Sequence, residues 1–254
     1  VNRTVAWFSA GAASAVATKL AIAEHPDTIV VRIDTGSEHP DHERFAIDCA
    51  SWFGRPIEAI ASADYVDTWD VWERTRYLVG PLGARCTTEL KKRPRMAFER
   101  PDDRQVFGYT VEERDRADLF RRQNPEINLA TPLIDANLTK SDCHAIIDRA
   151  GIEMGAMYRL GYPNSNCIPC PKATAPSYWA RIHRDFPDAF NRMAKVEREL
   201  NVSIRRTDAR REPDGQSRKL WLDELDVAAV DMGADEPDFE CSLMCHLAEK
   251  ASGS

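Results

Sequence analysis

The sequence predicts an α/β fold: a doubly wound, mostly parallel sheet followed by a cysteine-rich helical subregion. Two observations carry this expectation. Strand-like and helix-like segments alternate as βαβαβ within the first sixty residues, the pattern of a parallel sheet with helices on both faces. From Gly161 the character changes to a loop rich in Pro, Asn and Cys, and then to two helical segments. The expected division is therefore 1–160 for the sheet domain and 161–254 for the cysteine-rich region and tail.

Each element has a local reason. Thr4 to Phe8 is a short β-branched and aromatic run, and Ala12 to about Glu24 is an alanine-rich helical stretch. Thr28 to Ile33 reads as a second strand. Pro40 to Phe53 reads as a helix opened by Pro40 and closed by Gly54, and Ile57 to Ile60 as a third strand. The stretch from Asp64 to Arg100 is helical and irregular. Gln105 to Tyr109 is a further strand, Val111 to Arg122 a helix and Ile127 to Pro132 the last sheet strand. Thr139 to Ala150 is a helix with Thr139 as N-cap, ended by Gly151. Beyond the Cys-rich loop, Ser177 to Phe186 and Pro187 to Leu200 read as helices. Lys219 to Leu225 is the one ordered stretch expected in the charged remainder.

Composition narrows the class. The chain has 254 residues, 43% apolar and 30% charged, enough for one large α/β domain with an appendage. No apolar run approaches the roughly 20 residues of a membrane span. The first residues show no basic and apolar leader pattern, so a cytoplasmic location is expected. Seven cysteines, an odd number, fit metal-binding or catalytic thiols in a reducing compartment better than a disulfide framework. A net charge of -7 argues against a nonspecific nucleic-acid coat. Lys91, Lys92, Arg93 and Arg95 nevertheless form one basic cluster, and Arg205, Arg206, Arg210 and Arg211 a second that reads as a solvated face.

Chemistry is concentrated at the strand ends, where ligands bind in such folds. The first strand runs into Ser9-Ala10-Gly11-Ala12-Ala13-Ser14, small residues that let backbone amides approach an anion at a helix N-terminus. The second ends in Asp34-Thr35-Gly36, where a carboxylate can accept from ribose or adenine and glycine permits close approach. Cys86 stands near Lys91, a setting that favours thiolate and in which the lysine can hold a phosphate as a point charge. Gly108 to Arg116 carries Glu113 and Arg116 after a later strand. Cys167-Ile168-Pro169-Cys170 places two thiols in a proline-bounded loop. Its late position favours metal or cluster ligation over a thioredoxin-type redox pair. Near the end stands Glu240-Cys241-Ser242-Leu243-Met244-Cys245-His246. Cys49 and Cys143 read as packing residues; His25, His42, His144 and His183 read as surface or capping groups, and Tyr178, Trp179, Phe186 and Phe190 as core.

These motifs resemble those of the PP-loop, or HUP/adenine nucleotide alpha hydrolase-like, superfamily, and most of all its PAPS reductase-like branch. The first turn resembles Ser-Gly-Gly-x-Asp-Ser at Ser9, Gly11 and Ser14, with Ala10 in place of a glycine and Ala13 in place of the aspartate kept by members that split ATP. Asp34-Thr35-Gly36 with Pro40 resembles the Asp-Thr-Gly-x-x-x-Pro signature. Cys86 to Pro94 resembles Cys-Thr-x-x-Leu-Lys-x-x-Pro of DNA phosphorothioation enzymes and a related element of APS reductases. The Cys241 region resembles the Glu-Cys-Gly-x-His ending of sulfonucleotide reductases. The resemblance runs from Thr4 to about Leu200, with the terminal cysteine pair added.

The resemblance implies a sulfonucleotide reductase-like oxidoreductase. Ser9, Gly11, Ala12, Ser14, Asp34, Thr35, Gly36, Lys91, Gly108, Glu113 and Arg116 would bind an adenine nucleotide: PAPS, APS or ATP. Cys86, Cys167, Cys170 and Cys245 would hold a 4Fe-4S cluster, with zinc as the alternative, and the exchange of Cys245 for Cys241 stays open. Cys241 and Lys91 would be catalytic. A thioredoxin-like reductant and a homo-oligomer are expected, with no membrane partner. The rival implication is ATP-dependent sulfur transfer to tRNA or DNA; a third is a nucleotide-sensing or zinc-stabilised module without turnover.

Overall fold

A computed structural model describes residues 3–80 and 83–233. Strand β1 (Thr4–Trp7), buried along its whole length, leads into α1 (Ala12–Glu24). There the alanines and serine of the inner face let the helix lie close on the sheet. β2 (Ile29–Asp34) follows, then α2 (Asp41–Phe53), whose first turn carries Asp41 and Glu43 against the helix dipole. Gly54 closes it at φ 70°, and β3 is Glu58–Ala61. α3 (Thr68–Thr75) is capped by Asp67, whose carboxylate accepts from the Asp70 N–H at 2.7 Å.

A small antiparallel pair, β4 (Val79–Gly80) with β5 (Gly83–Ala84), precedes one continuous helical run. The run consists of α4 (Arg85–Thr87), a π-helical turn (Thr88–Lys92) and α5 (Arg93–Phe98). After it come β6 (Arg104–Val106), a 3-10 turn (Val111–Glu113), α6 (Arg114–Gln123), β7 (Asn128–Ala130) and α7 (Pro132–Asp135). α8 (Lys140–Arg149) begins at Thr139, whose hydroxyl accepts from the Asp142 N–H while Asp142 accepts from the Thr139 N–H. α9 (Ala156–Arg159), α10 (Pro176–Asp185) and α11 (Pro187–Leu200) complete the helices. The pair β8 (Arg205–Arg206) and β9 (Lys219–Leu220) and a 3-10 turn (Leu222–Glu224) follow.

The central sheet has five strands in the order β3-β2-β1-β6-β7, and every pairing is parallel. The expected "mostly parallel" sheet is thus wholly parallel. Helices cover both faces. One core joins Ala6, Phe8 and Val30 to α1, α2 and α8; the other joins Val5, Trp7, Val31 and Ile33 to Phe107, Ala117 and Phe120. A third core gathers Trp69, Trp72, Leu78 and Leu90 with Tyr178, Trp179, Phe190 and Leu222. It is shared by α3, the helical run, α10 and α11, so residues far apart in sequence bury a common apolar face. No helix among the described residues is long and apolar enough to cross a membrane.

β6 and β7 are shorter than their apolar runs predict. The chain leaves the sheet at Phe107, and Pro132 opens α7 instead of extending a strand.

Candidate functional site

The chain winds outward from β1 through β2 to β3 and then returns to the other side of β1 with β6. The adjacent carboxyl ends of β1 and β6 therefore diverge into loops on opposite sides, and a crevice opens between them. It encloses about 1040 Å³, part of it open solvent. Ser9, Gly11, Ala13 and Ser14 line it from the first turn, and Phe107, Gly108 and Tyr109 from the end of β6. Lys91 comes from the π-helical turn, Lys140 and His144 from α8, and Tyr158 and Asn164 to Asn166 from the loops beyond.

Ser14 shapes the first turn. Its Oγ accepts from the Ser9 N–H and hydroxyl, both at 3.1 Å, and from the Gly11 N–H at 3.4 Å, and donates to the Gly11 carbonyl at 2.9 Å. Two amides are thus committed within the turn. Ala10 stands at φ 55°, the left-handed region where glycine is favoured, at the position where the resembled loop has glycine. Gly108 approaches so closely that a Cβ there would lie 2.8 Å from Ser14 Cα and N. Only glycine lets β6 end against the first turn of α1.

Cationic charge enters from two elements. Lys91 faces the crevice from one side. Lys140 faces it at the start of α8, its Nζ donating to Asn164 Oδ1 at 2.6 Å. His42 is buried, with Nε2 2.5 Å from the hydroxyl of Ser165 on the crevice wall. Burial pushes its imidazole down to about 4; Glu38 opposes the shift, while Lys91, Arg32 and His39 add to it. His42 is therefore neutral at neutral pH. His144 is likewise held below the ordinary histidine range by burial and by Lys140.

The loop after β2 forms a recess that shares Ser9, Ile33 and Glu38 with the crevice and is lined by Asp34 and Gly36. Asp34 Oδ1 accepts from the Gly36 N–H at 2.9 Å, closing a local turn. Gly36 has φ +65°, and a Cβ there would meet the Val66 carbonyl oxygen at 2.1 Å. The thiol loop docks on this same segment: Thr35 Oγ1 lies 3.2 Å from Cys167 Sγ, and the Ile168 N–H donates to the Ser37 carbonyl at 2.8 Å.

The three described candidate thiols are buried, Cys86, Cys167 and Cys170 being 7%, 6% and 2% exposed. Cys86 and Cys170 belong to the third core. The Tyr178 hydroxyl accepts from the Cys170 N–H at 2.7 Å. Its pKa is raised, by burial first and then by the neighbouring sulfurs of Cys170 and Cys167. By contrast Cys49 and Cys143 pack in the core under α2 and α8, where burial raises both thiols to about 12.

Of the residues expected to bind nucleotide, Ser9, Gly11, Ser14, Lys91 and Gly108 line the crevice, and Asp34 and Gly36 the adjoining recess. Ala12 is fully buried beneath the first turn, and Thr35 is turned to Cys167. Glu113 accepts from the Thr110 N–H at 3.2 Å and pairs with Arg116, which lies over the Tyr109 ring. Glu113 stands at the N-cap position of α6 and Arg116 in its first turn, and both lie outside the crevice lining. Cys241 and Cys245 lie outside the described residues.

Sequence reasoning missed Lys140, Tyr158 and Asn164, and it misplaced His42 and His144. His42, read as a surface or capping group, is 5% exposed, and His144 lines the crevice. The spacing of Lys140 and His144, four apart on one helix face, was the available signal.

A scan against models of protein families finds no match to this chain, and a search of curated proteins finds none either. Fold and site define a parallel α/β chain with a switch-point crevice lined by two lysines.

Proposed function

We propose that the chain is an adenine-nucleotide-binding enzyme of sulfur chemistry, resembling the PAPS reductase-like branch of the PP-loop proteins. What carries this reading is a juxtaposition at one sheet edge. The Cys167–Cys170 loop is fastened, through Thr35 and Ser37, to the segment whose Glu38 lines the two-lysine crevice. Val31, Ile33 and Phe107 offer apolar walls for a base, and Lys91 and Lys140 are placed to balance phosphate or sulfate charge.

Cys86, Cys167 and Cys170, with Cys245, are the proposed holders of a 4Fe-4S cluster, zinc being the alternative. Soft thiols suit either group, and Cys86 and Cys170 share an apolar core; among the described residues no three His, Cys, Asp or Glu side chains are already gathered as a metal site. When bound, it would tie the helical run at Cys86 to the Cys167–Cys170 loop and bring a metal centre beside the ligand.

Cys241 is the proposed nucleophile. Its thiolate attacks the sulfur of PAPS or APS, the sulfur–oxygen bond to the phosphate breaks, and the nucleotide leaves with the electron pair while Cys241 carries the sulfonate. A thioredoxin-like dithiol then supplies two electrons, releasing sulfite and becoming a disulfide. Lys91 offsets the charge that grows on the departing phosphate.

The test is anaerobic purification with metal analysis and an absorbance spectrum, followed by incubation with PAPS, APS or ATP. Sulfite from PAPS or APS, lost in Cys241→Ser, is the expected result. Pyrophosphate from ATP without sulfite would replace the reading with adenylation and sulfur transfer. No turnover at all would leave a binding module.

A further inference from the structure

Behind the helix that carries Lys91 lies a second cleft, enclosing about 2510 Å³ including open solvent, more than twice the space of the nucleotide crevice. Lys91 lines the first cavity. Arg85, Thr88, Lys92, Arg95 and Met96 line the second. Arg93 and Arg100 add charge from its rim. Five cationic side chains thus face the cleft against two carboxylates, Glu99 and Glu126, in a chain of net charge -7.

The cations are built into the wall. Lys92 and Arg95 are each only 4% exposed, so their charge acts through a medium less screening than water. Arg95 donates to Glu99 Oε2 at 2.6 Å. Glu89, 1% exposed, pairs with Arg85 at 2.7 Å and with Arg93 at 2.8 Å, holding both guanidinium groups along the helix. With Glu89 included, the lining remains net positive.

We infer that this cleft binds the phosphodiester backbone of a single-stranded nucleic acid. The helical run that walls the cleft extends about 20 Å at 1.5 Å per residue, room for several successive phosphates. Half-buried Tyr77 and Met96, the latter 62% exposed, add an aromatic and an apolar face on which unpaired bases can stack. The inference stands apart from the sulfur chemistry, because none of these side chains lines the nucleotide crevice.

Labelled oligo-dT and oligo-U twelve-mers titrated into the full chain, with anisotropy read across a salt series, test it. The expected logarithmic salt slope is about -0.7 per phosphate contacted. In the exposed rim double variant Arg93→Gln/Arg100→Gln, the slope should shrink by about 1.4 and affinity fall about tenfold. Arg85 still pairs with Glu89 in this variant, so the fold should persist at a lowered thermal midpoint, and adenine-nucleotide binding, measured separately, should not change. Absent oligonucleotide binding, an unchanged slope in the variant, equal affinity for duplex DNA, or equally good displacement by polyglutamate of matched length would each overturn the inference.

Discussion

Gly108→Ala tests the geometry on which the crevice depends. The added methyl would lie 2.8 Å from Ser14 Cα and N and 3.0 Å from the Ala13 carbonyl carbon, all main-chain atoms. Carbon atoms rest at about 3.5–4.0 Å, so the end of β6 and the first turn of α1 must separate by about 0.7 Å or more. Forced overpacking of this kind costs about 1–3 kcal/mol. In a chain of this length each kcal/mol lowers the thermal midpoint by about 2–4 °C, giving a loss of about 2–12 °C. Gly11→Ala is the comparison, since its methyl would meet only side-chain atoms, Tyr158 Oη at 3.2 Å and Ser9 Oγ at 3.6 Å. Its midpoint should fall by less, although the methyl protrudes toward the crevice. Thermal unfolding of both variants, with calorimetric titration of PAPS, APS and ATP, separates the two effects. A wild-type midpoint for Gly108→Ala, or a larger loss in Gly11→Ala, would refute the reasoning.

Three further outcomes are expected. Lys91→Ala should weaken binding of the nucleotide by about 10- to 100-fold, the worth of a charge-assisted contact, with little change in melting; calorimetry checks it. Ala10→Gly removes the left-handed strain at φ 55° but also deletes a buried core methyl and adds chain entropy to the unfolded state, so stability should change by no more than about 1 kcal/mol. A larger shift of the denaturation midpoint would contradict that. His42 is held at about 4 when folded and titrates near 6.5 when unfolded, so below pH 6.5 only the unfolded chain gains the proton. Its contribution to stability is complete above pH 6.5 and is lost toward pH 4, at up to about 1.4 kcal/mol per unit. His42→Gln should therefore flatten the fall in urea midpoint between pH 7.5 and 5, and an unchanged slope would count against buried His42.

The sheet was legible because β-branched runs and small-residue helix starts alternate at short range, and turn chemistry marked both strand ends. Thr139 was readable as a cap for the same reason: hydroxyl, spacing and acidic partner all lie within four residues. The third core was not legible. Trp69 and Trp72 come from a stretch with weak periodicity, and they find Tyr178 and Trp179 across a hundred residues of chain. His42 looked like a first-turn surface residue of α2 because nothing local announces Ser165, which covers it. Lys140 was passed over because a charged first-turn residue is ordinarily solvated, whereas here its Nζ meets Asn164 from a distant loop at the crevice.

The two adjacent lysines mark the deeper limit. Residues next to each other on a regular helix point about a quarter-turn apart, which does not by itself decide which of Lys91 and Lys92 meets a ligand. Here the turn that holds them is π-helical, with a wider hydrogen-bonded loop that resets the faces of the helix on either side. A periodicity counted from Arg85 therefore fails to carry through to Arg95 with a single regular repeat. The motif match pointed to Lys91, and Lys91 does line the switch-point crevice, while Lys92 is buried against the basic cleft behind it. One helical run thus divides two cavities with opposite faces, so a ligand in either bears on the same π-helical turn. Substitution of Lys91 should register in the first cavity and loss of Arg93 and Arg100 in the second, each without the other.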